Sequence, residues 1–122
     1  MGQGTFGKRI GGAVAAELER SREKEAQGTL AASFRHLERA HVLGQASTLH
    51  HVRAHVAMFR WALRHGRWSE ARGQVLRVVG AATKTAFGMV PHGNTGGANV
   101  SPFQAMPVPP DLARTIRAAR NG

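Results

Sequence analysis

The sequence predicts an all-α domain made of two stacked antiparallel helix hairpins, an irregular C-terminal wrap and a short final helix. Two observations give this prediction. Apolar residues recur three and four positions apart over much of the chain, which is the spacing of one face of an α-helix. Glycines at positions 28, 44 and 66 then divide these stripes into segments of helical length, because glycine readily adopts the left-handed conformation that ends a helix.

The length of 122 residues and the hydrophobic fraction of 42% suit a single domain with a modest core. Residues 1–12 are glycine-rich and lack a periodic apolar pattern, so we expect a flexible leader. Residues 13–87 form the predicted four-helix core. Residues 88–122 form a glycine- and proline-rich wrap followed by the short terminal helix.

The first two predicted helices cover residues 13–27 and 29–43. In the first, Val14 and Leu18 make a weak apolar stripe, and the segment that follows is charged on nearly every face. The second has a complete stripe with spacings of four, three and four residues, formed by Leu30, Phe34, Leu37 and His41. His41 therefore occupies a position where a core residue is expected.

The third helix is expected from residue 47 or 48 to residue 65, and the fourth from about residue 69 to residue 87. The predicted core stripe of the third helix is Val52, Val56, Phe59 and Leu63. An adjoining column lies at the border of that apolar face and consists of His51, His55, Met58 and Ala62. In the fourth helix the core candidates are Val75, Val78 and Val79.

The terminal helix is predicted to start at Pro110, because proline is favoured in the first turn of a helix. Its apolar stripe is Leu112, Ile116 and Ala119. The wrap that precedes it still carries apolar side chains such as Phe103 and Val108. We therefore expect the wrap to lie against the helices.

The chain is strongly basic, with 17 lysines and arginines against 7 acidic residues and a formal net charge of +10. A field of this sign attracts anionic partners, including nucleic acid. The basic residues are spread along the chain, which favours solvated faces over a nucleic-acid interface. No apolar run approaches the roughly 20 residues of a transmembrane helix, so we expect no membrane contact and a cytoplasmic protein.

The histidines are concentrated around the predicted turn between the second and third helices. Glu38 and His41 lie three apart before this turn, and His51 and His55 lie four apart after it, so each pair shares one helix face. In an antiparallel hairpin the two pairs lie level with each other. The pattern predicts a metal site formed by Glu38, His41, His51 and His55. With no cysteine in the chain, imidazole and carboxylate ligands suit zinc, nickel, iron(II) or copper(II).

The alternative interpretation is a buried His41 bonded to Glu38 or to a carbonyl, with His51 and His55 near solvent. The fourth helix is expected to end beside this turn, so the loop after it can cover the site. His92, Asn94 and Asn99 are the polar groups that this loop would add. No combination of nucleophile, histidine and acid is evident, so the sequence indicates a binding protein with no catalytic residues that we can name.

The chain resembles two kinds of known protein. LERAHVLGQ at 37–45, the histidines at 51 and 55, and the GNTGGANVSP loop resemble a small bacterial family of unknown function over about residues 28–112. That resemblance implies a helical fold and no mechanism. The segment HGRWSEARGQVLRVV is similar to the turn and second helix of a tetratricopeptide unit, which implies stacked helix hairpins. It also gives the alternative function, an interaction module that binds a protein partner, or less readily nucleic acid, through its basic surface.

Overall fold

Five helices follow one another in the computed structural model, which describes residues 3–86 and 106–122. They are α1 (Gln3–Ala26), α2 (Leu30–Gly44), α3 (Thr48–Arg64), α4 (Trp68–Ala86) and α5 (Pro110–Asn121). The described residues contain no strand, and α1 packs on α2 as α3 packs on α4. The all-α fold with two helix hairpins is therefore confirmed. The predicted wrap lies largely outside the described residues.

The turns that close the first and third helices use glycine as expected. Gly28 and Gly66 have φ values of +77° and +65°, the left-handed conformation that glycine adopts without strain. After each glycine the next backbone N–H bonds back across the helix end, from Thr29 to the Lys24 carbonyl and from Arg67 to the Ala62 carbonyl. These bonds satisfy carbonyls that the helix itself leaves without partners.

The prediction of a flexible leader is wrong for residues 3–12, because α1 begins at Gln3. Phe6 and Ile10 are buried and extend the stripe of Val14 and Leu18 at intervals of four residues. The glycines between them allow close packing. A Cβ atom on Gly7 would lie 3.0 Å from Oγ of Ser47, so the small residue lets α1 approach the start of α3.

The prediction of which face of α3 is buried is also wrong. The core side carries Ala54, Met58 and Ala62, together with His51 and His55, while Leu63 stays 42% exposed. At about 100° per residue, the predicted stripe points roughly 115° away from the centre of this face. Small alanines on the true core face allow α4 to pack closely, and α4 in turn buries Ala71 and Gln74 and exposes Val75.

The terminal helix α5 packs against α1 and α2, and its predicted stripe of Leu112, Ile116 and Ala119 is buried. Its start is held by an ion pair between Asp111 and Arg39 of α2. Within the part of the chain that the structure describes, no helix is both long enough and apolar enough to cross a membrane.

Candidate metal centre

Three histidines meet in the interior where the α2–α3 turn joins the two hairpins. His41 comes from the last turn of α2, and His51 and His55 come from the first two turns of α3. All three side chains are buried, with at most 5% of their surface exposed. Their ring centroids lie 4.6–5.0 Å apart, and one ring nitrogen from each lies within 4.8 Å of the others. We call this group the histidine cluster.

The local sequence explains why the rings converge. The α2–α3 connection is only three residues long, from Gln45 to Ser47, so the two helices return antiparallel with their ends level. The Ser47 N–H closes the turn by bonding to the Gly44 carbonyl at 2.9 Å. His51 and His55, one helical turn apart, then face the end of α2 together, and His41 lies between them.

The closest pair in the histidine cluster is His41 and His55, whose Nε2 atoms lie 3.1 Å apart. Two nitrogen ligands on a tetrahedral zinc ion, each about 2.0–2.1 Å from the metal, are about 3.3 Å apart. The two nitrogens therefore already have the separation of neighbouring ligands on one ion. Without an ion, the same distance suits a hydrogen bond from one imidazole to the other.

Two hydrogen-bonded side chains of α4, Glu70 and Gln74, set the tautomer of His55. A carboxylate can only accept hydrogen bonds, so the Nε2 of Gln74 donates to Glu70 Oε2 at 2.5 Å. The Oε1 of Gln74 then faces His55. The Nδ1 of His55, 2.5 Å from that oxygen, must then carry the ring proton. In the neutral ring this leaves a lone pair on Nε2, the atom that faces His41. A hydrogen-bonded second nitrogen is the usual arrangement for a metal-ligating histidine.

Glu38, the fourth predicted ligand, does not join the three histidines. Its carboxyl lies outside the group of ligand atoms and lines a surface pocket of about 350 Å³ together with Glu70, Phe34 and Trp61. The pKa of Glu38 is raised, first by burial and then by the negative charge of Glu70, and Arg35 opposes this only in part. The structure thus places Glu38 beside the Glu70–Gln74 chain, on the outer side of the cluster.

The three remaining sequence-predicted positions and two further histidines lie elsewhere. His92, Asn94 and Asn99, the expected cover, lie outside the described residues. His50 is buried away from the cluster, where its Nε2 donates to the Gly7 carbonyl at 2.8 Å. His36 lies beside Glu17 of α1. These two histidines therefore help to join the helices and do not face the cluster.

Sequence reasoning missed Gln74 and Glu70. Both lie on α4, which the hairpin argument did not include. Their spacing of four residues is the one signal that places an amide next to a carboxylate on a helix. Gln74 is 0% exposed, but the sequence favoured its neighbour Val75 as the core residue because valine is more apolar.

Comparison with protein-family models shows which family the chain belongs to. The model of the family described as Protein of unknown function (DUF3703) matches residues 8–116. The chain belongs to this family. No curated protein and no solved structure matches it. The expected membership of an uncharacterised family is confirmed, and the match extends N-terminally of residue 28 as far as residue 8, which was predicted to lie in the leader. The family description names no activity, so function must be argued from the site.

Proposed function

We propose that this protein binds one divalent transition-metal ion through the histidine cluster. The observation that supports the proposal is the meeting of three buried imidazoles, from two helices, with their ligand nitrogens within 4.8 Å of one another. The neutral form of an imidazole is the one that ligates a metal. Imidazole ligands suit zinc, copper, nickel and iron(II).

A site formed by three histidines leaves a coordination position for water or for a further ligand. Glu38 would reach that position only by moving from the pocket that it lines with Glu70. We therefore assign the three histidines as the protein ligands and Glu38 as a nearby acidic group. Gln74 supports the site through His55. We propose a binding role for the site and assign no catalytic residue.

The test is a metal titration of protein purified without a histidine tag and treated with a chelator beforehand. Zinc, nickel, copper and iron(II), the last under anaerobic conditions, are each titrated in competition with a chromophoric chelator. We expect one ion per chain for at least one metal. His41→Ala, His51→Ala and His55→Ala should each weaken that binding at least about tenfold, the lower range for damage to a metal site.

The matched control is His65→Ala. His65 bonds to Glu25 at 2.7 Å, on another part of the surface, so this variant should bind as the wild type does. Circular dichroism checks that each variant is helical. The proposal fails if the wild type takes up none of the metals, or if folded His55→Ala protein binds them unchanged. In that case the three rings form a structural hydrogen-bonded cluster.

A further inference from the structure

The outer face of α3 carries an apolar stripe that the core uses only in part, through Phe59. Leu49, Val52, Val56, Phe59 and Leu63 are spaced three, four, three and four residues apart, which is the pattern of a helix that packs along another helix. Leu49 is 65% exposed and Leu63 42% exposed. Val52 and Val56 are half-buried. Its last four members are the stripe that the sequence predicted as core.

The stripe borders a groove of about 450 Å³ between α1 and α3. Its apolar lining includes Leu18 of α1, Leu37 of α2, and Leu49, Val52 and Val56 of α3. The groove follows α3 from residue 49 to residue 64, a length of about 22 Å at 1.5 Å per residue. That is the length of a helix of four turns. The groove is therefore long enough to hold a helical segment.

Positive charge surrounds this groove. Arg22 lies on the α1 side, and Arg53, Arg60 and Arg64 lie on the α3 side. The acidic residue of the lining, Glu25, is bound to Arg64 by two hydrogen bonds of 2.7 and 3.0 Å and closes one end of the groove. Arg53 and Arg60 are seven residues apart and follow the apolar stripe. In paired helices such flanking positions select partners by charge.

We propose that the α1–α3 groove binds an amphipathic helix of another protein, with an apolar stripe and acidic flanks. Charge complementarity carries the choice of occupant. In each of the five helices lysine and arginine outnumber aspartate and glutamate, and residues 87–105 contain no charged side chain. No helix of this chain is therefore acidic overall, and a second copy would bring arginine against arginine.

The aliphatic floor argues against nucleic acid as the partner. Proteins bind single-stranded nucleic acid by stacking its bases on aromatic side chains, and nucleic acid has no group that would cover leucine and valine side chains. A helix with leucines on one face and glutamates beside them matches both the floor and the rim. This mode of recognition depends on apolar anchors at intervals of three and four residues. It involves other residues than the histidine cluster, whose His51 and His55 lie on the neighbouring, buried face of α3.

The test uses a synthetic fluorescent peptide of three heptads, with leucine at the a and d positions and glutamate at the e and g positions. A second peptide carries lysine in place of each glutamate. The full-length protein should bind the acidic peptide and not the basic one, and binding should weaken as salt is raised. Arg60→Glu should weaken it by about tenfold or more, since a like charge then faces the partner.

Leu49→Asn tests the apolar floor on a side chain that is already 65% exposed, so the fold should tolerate it, and binding should fall. Arg117→Glu on the exposed side of α5 is the charge control and should bind more like the wild type. Three results would overturn the proposal: no binding of the acidic peptide at low salt, equal binding of both peptides, or equal loss in Arg60→Glu and Arg117→Glu. Self-association that Leu49→Asn abolishes, or binding of phosphatidylglycerol vesicles without binding of the peptide, would also overturn it in favour of another occupant.

Discussion

The Nδ1 atom of His55 lies 2.5 Å from the Oε1 atom of Gln74, and this contact fixes which nitrogen of His55 faces the histidine cluster. The amide cannot turn over without setting its oxygen against the Glu70 carboxylate, where both groups only accept. Gln74 is fully buried, so the arrangement is shielded from water. Gln74 of α4 thus determines that Nε2 is the atom of His55 that can bind a metal.

Replacing Gln74 with leucine should weaken metal binding about 10- to 100-fold, the range observed when an outer hydrogen-bond partner of a ligand is removed. The stoichiometry should stay at one ion, because the three histidines remain. Competition with a chromophoric chelator measures the affinity, and ¹⁵N chemical shifts of His55 report which nitrogen carries the proton. Leu76→Gln, at a position 77% exposed on the same helix, is the control. Unchanged affinity in Gln74→Leu would show that the tautomer of His55 is not set by this contact.

The raised pKa of Glu38 gives a prediction with a definite sign. Burial is the main cause and the charge of Glu70 the second, so the folded protein holds this proton more tightly than the unfolded chain. Stability therefore falls as the pH rises from the ordinary pKa of a glutamate to the raised one, and the loss persists at neutral pH. Glu38→Gln should raise the melting temperature of the metal-free protein at pH 7. The gain should shrink as the pH falls to the ordinary glutamate value.

The same variant tests whether the ligand set has three members or four. We expect Glu38→Gln to bind metal with the wild-type stoichiometry and within a few-fold of the wild-type affinity. Glu23→Gln, an exposed residue of α1, is the control for the loss of one negative charge. If Glu38→Gln loses the metal while Glu23→Gln keeps it, Glu38 is the fourth ligand. Its carboxylate then leaves the pocket when the metal binds.

The sequence was a good guide to where helices begin and end, apart from the start of α1, and a poor guide to which faces they bury. Glycine punctuation at Gly28 and Gly66 has a local cause, the left-handed conformation, so it can be read from the chain alone. The orientation of α3 depends on its neighbours. Ala54 and Ala62 let α4 approach, and this close packing outweighs the greater apolar character of Val52 and Val56.

The histidine cluster was predictable because its members lie on both sides of one short turn. Their convergence needs only helical periodicity and an antiparallel return. Gln74 and Glu70 could not be placed in the same way, since they reach the site through the packing of α4 on α3. The leader was misjudged for a related reason: its glycines serve close contact with Ser47 and His50, which is a property of the folded chain.

A buried polar network holds α1, α2 and α3 together and is open to a stability test. Trp61 Nε1 donates to Ser33 Oγ at 3.1 Å, and Ser33 Oγ in turn donates to the Ser21 carbonyl at 2.9 Å. Ser33→Ala leaves the tryptophan N–H buried without this acceptor, so the free energy of unfolding should fall by about 1–3 kcal/mol. Urea denaturation measures the change. Ser69→Ala, at an exposed serine, should alter stability by less than about 0.5 kcal/mol; equal effects would contradict the role of the network.

Glu17 is a buried acid that links α1 to α2, and removing its hydrogen-bond partners should lower the stability of the protein. Its carboxylate, 2% exposed, accepts from Arg39 Nε at 3.0 Å to both oxygens, and Arg20 and His36 bond to the same group. Arg39→Met removes the main counter-charge and should lower the free energy of unfolding by at most about 3–5 kcal/mol, the cost of leaving a buried charge without a partner, because Arg20 and His36 still bond to Glu17.

The double variant Glu17→Gln/Arg39→Met distinguishes this account from simple loss of packing. With the carboxylate removed as well, nothing charged is left buried, so the double variant should be more stable than the sum of the two single effects predicts, by about 0.5–3 kcal/mol. Arg39 also pairs with Asp111 at the start of α5, but Asp111 is half-exposed, so Asp111→Asn should cost less than about 1 kcal/mol. Additive single effects would mean that Arg39 stabilises the helices through its aliphatic stem and the α5 contact, independently of Glu17.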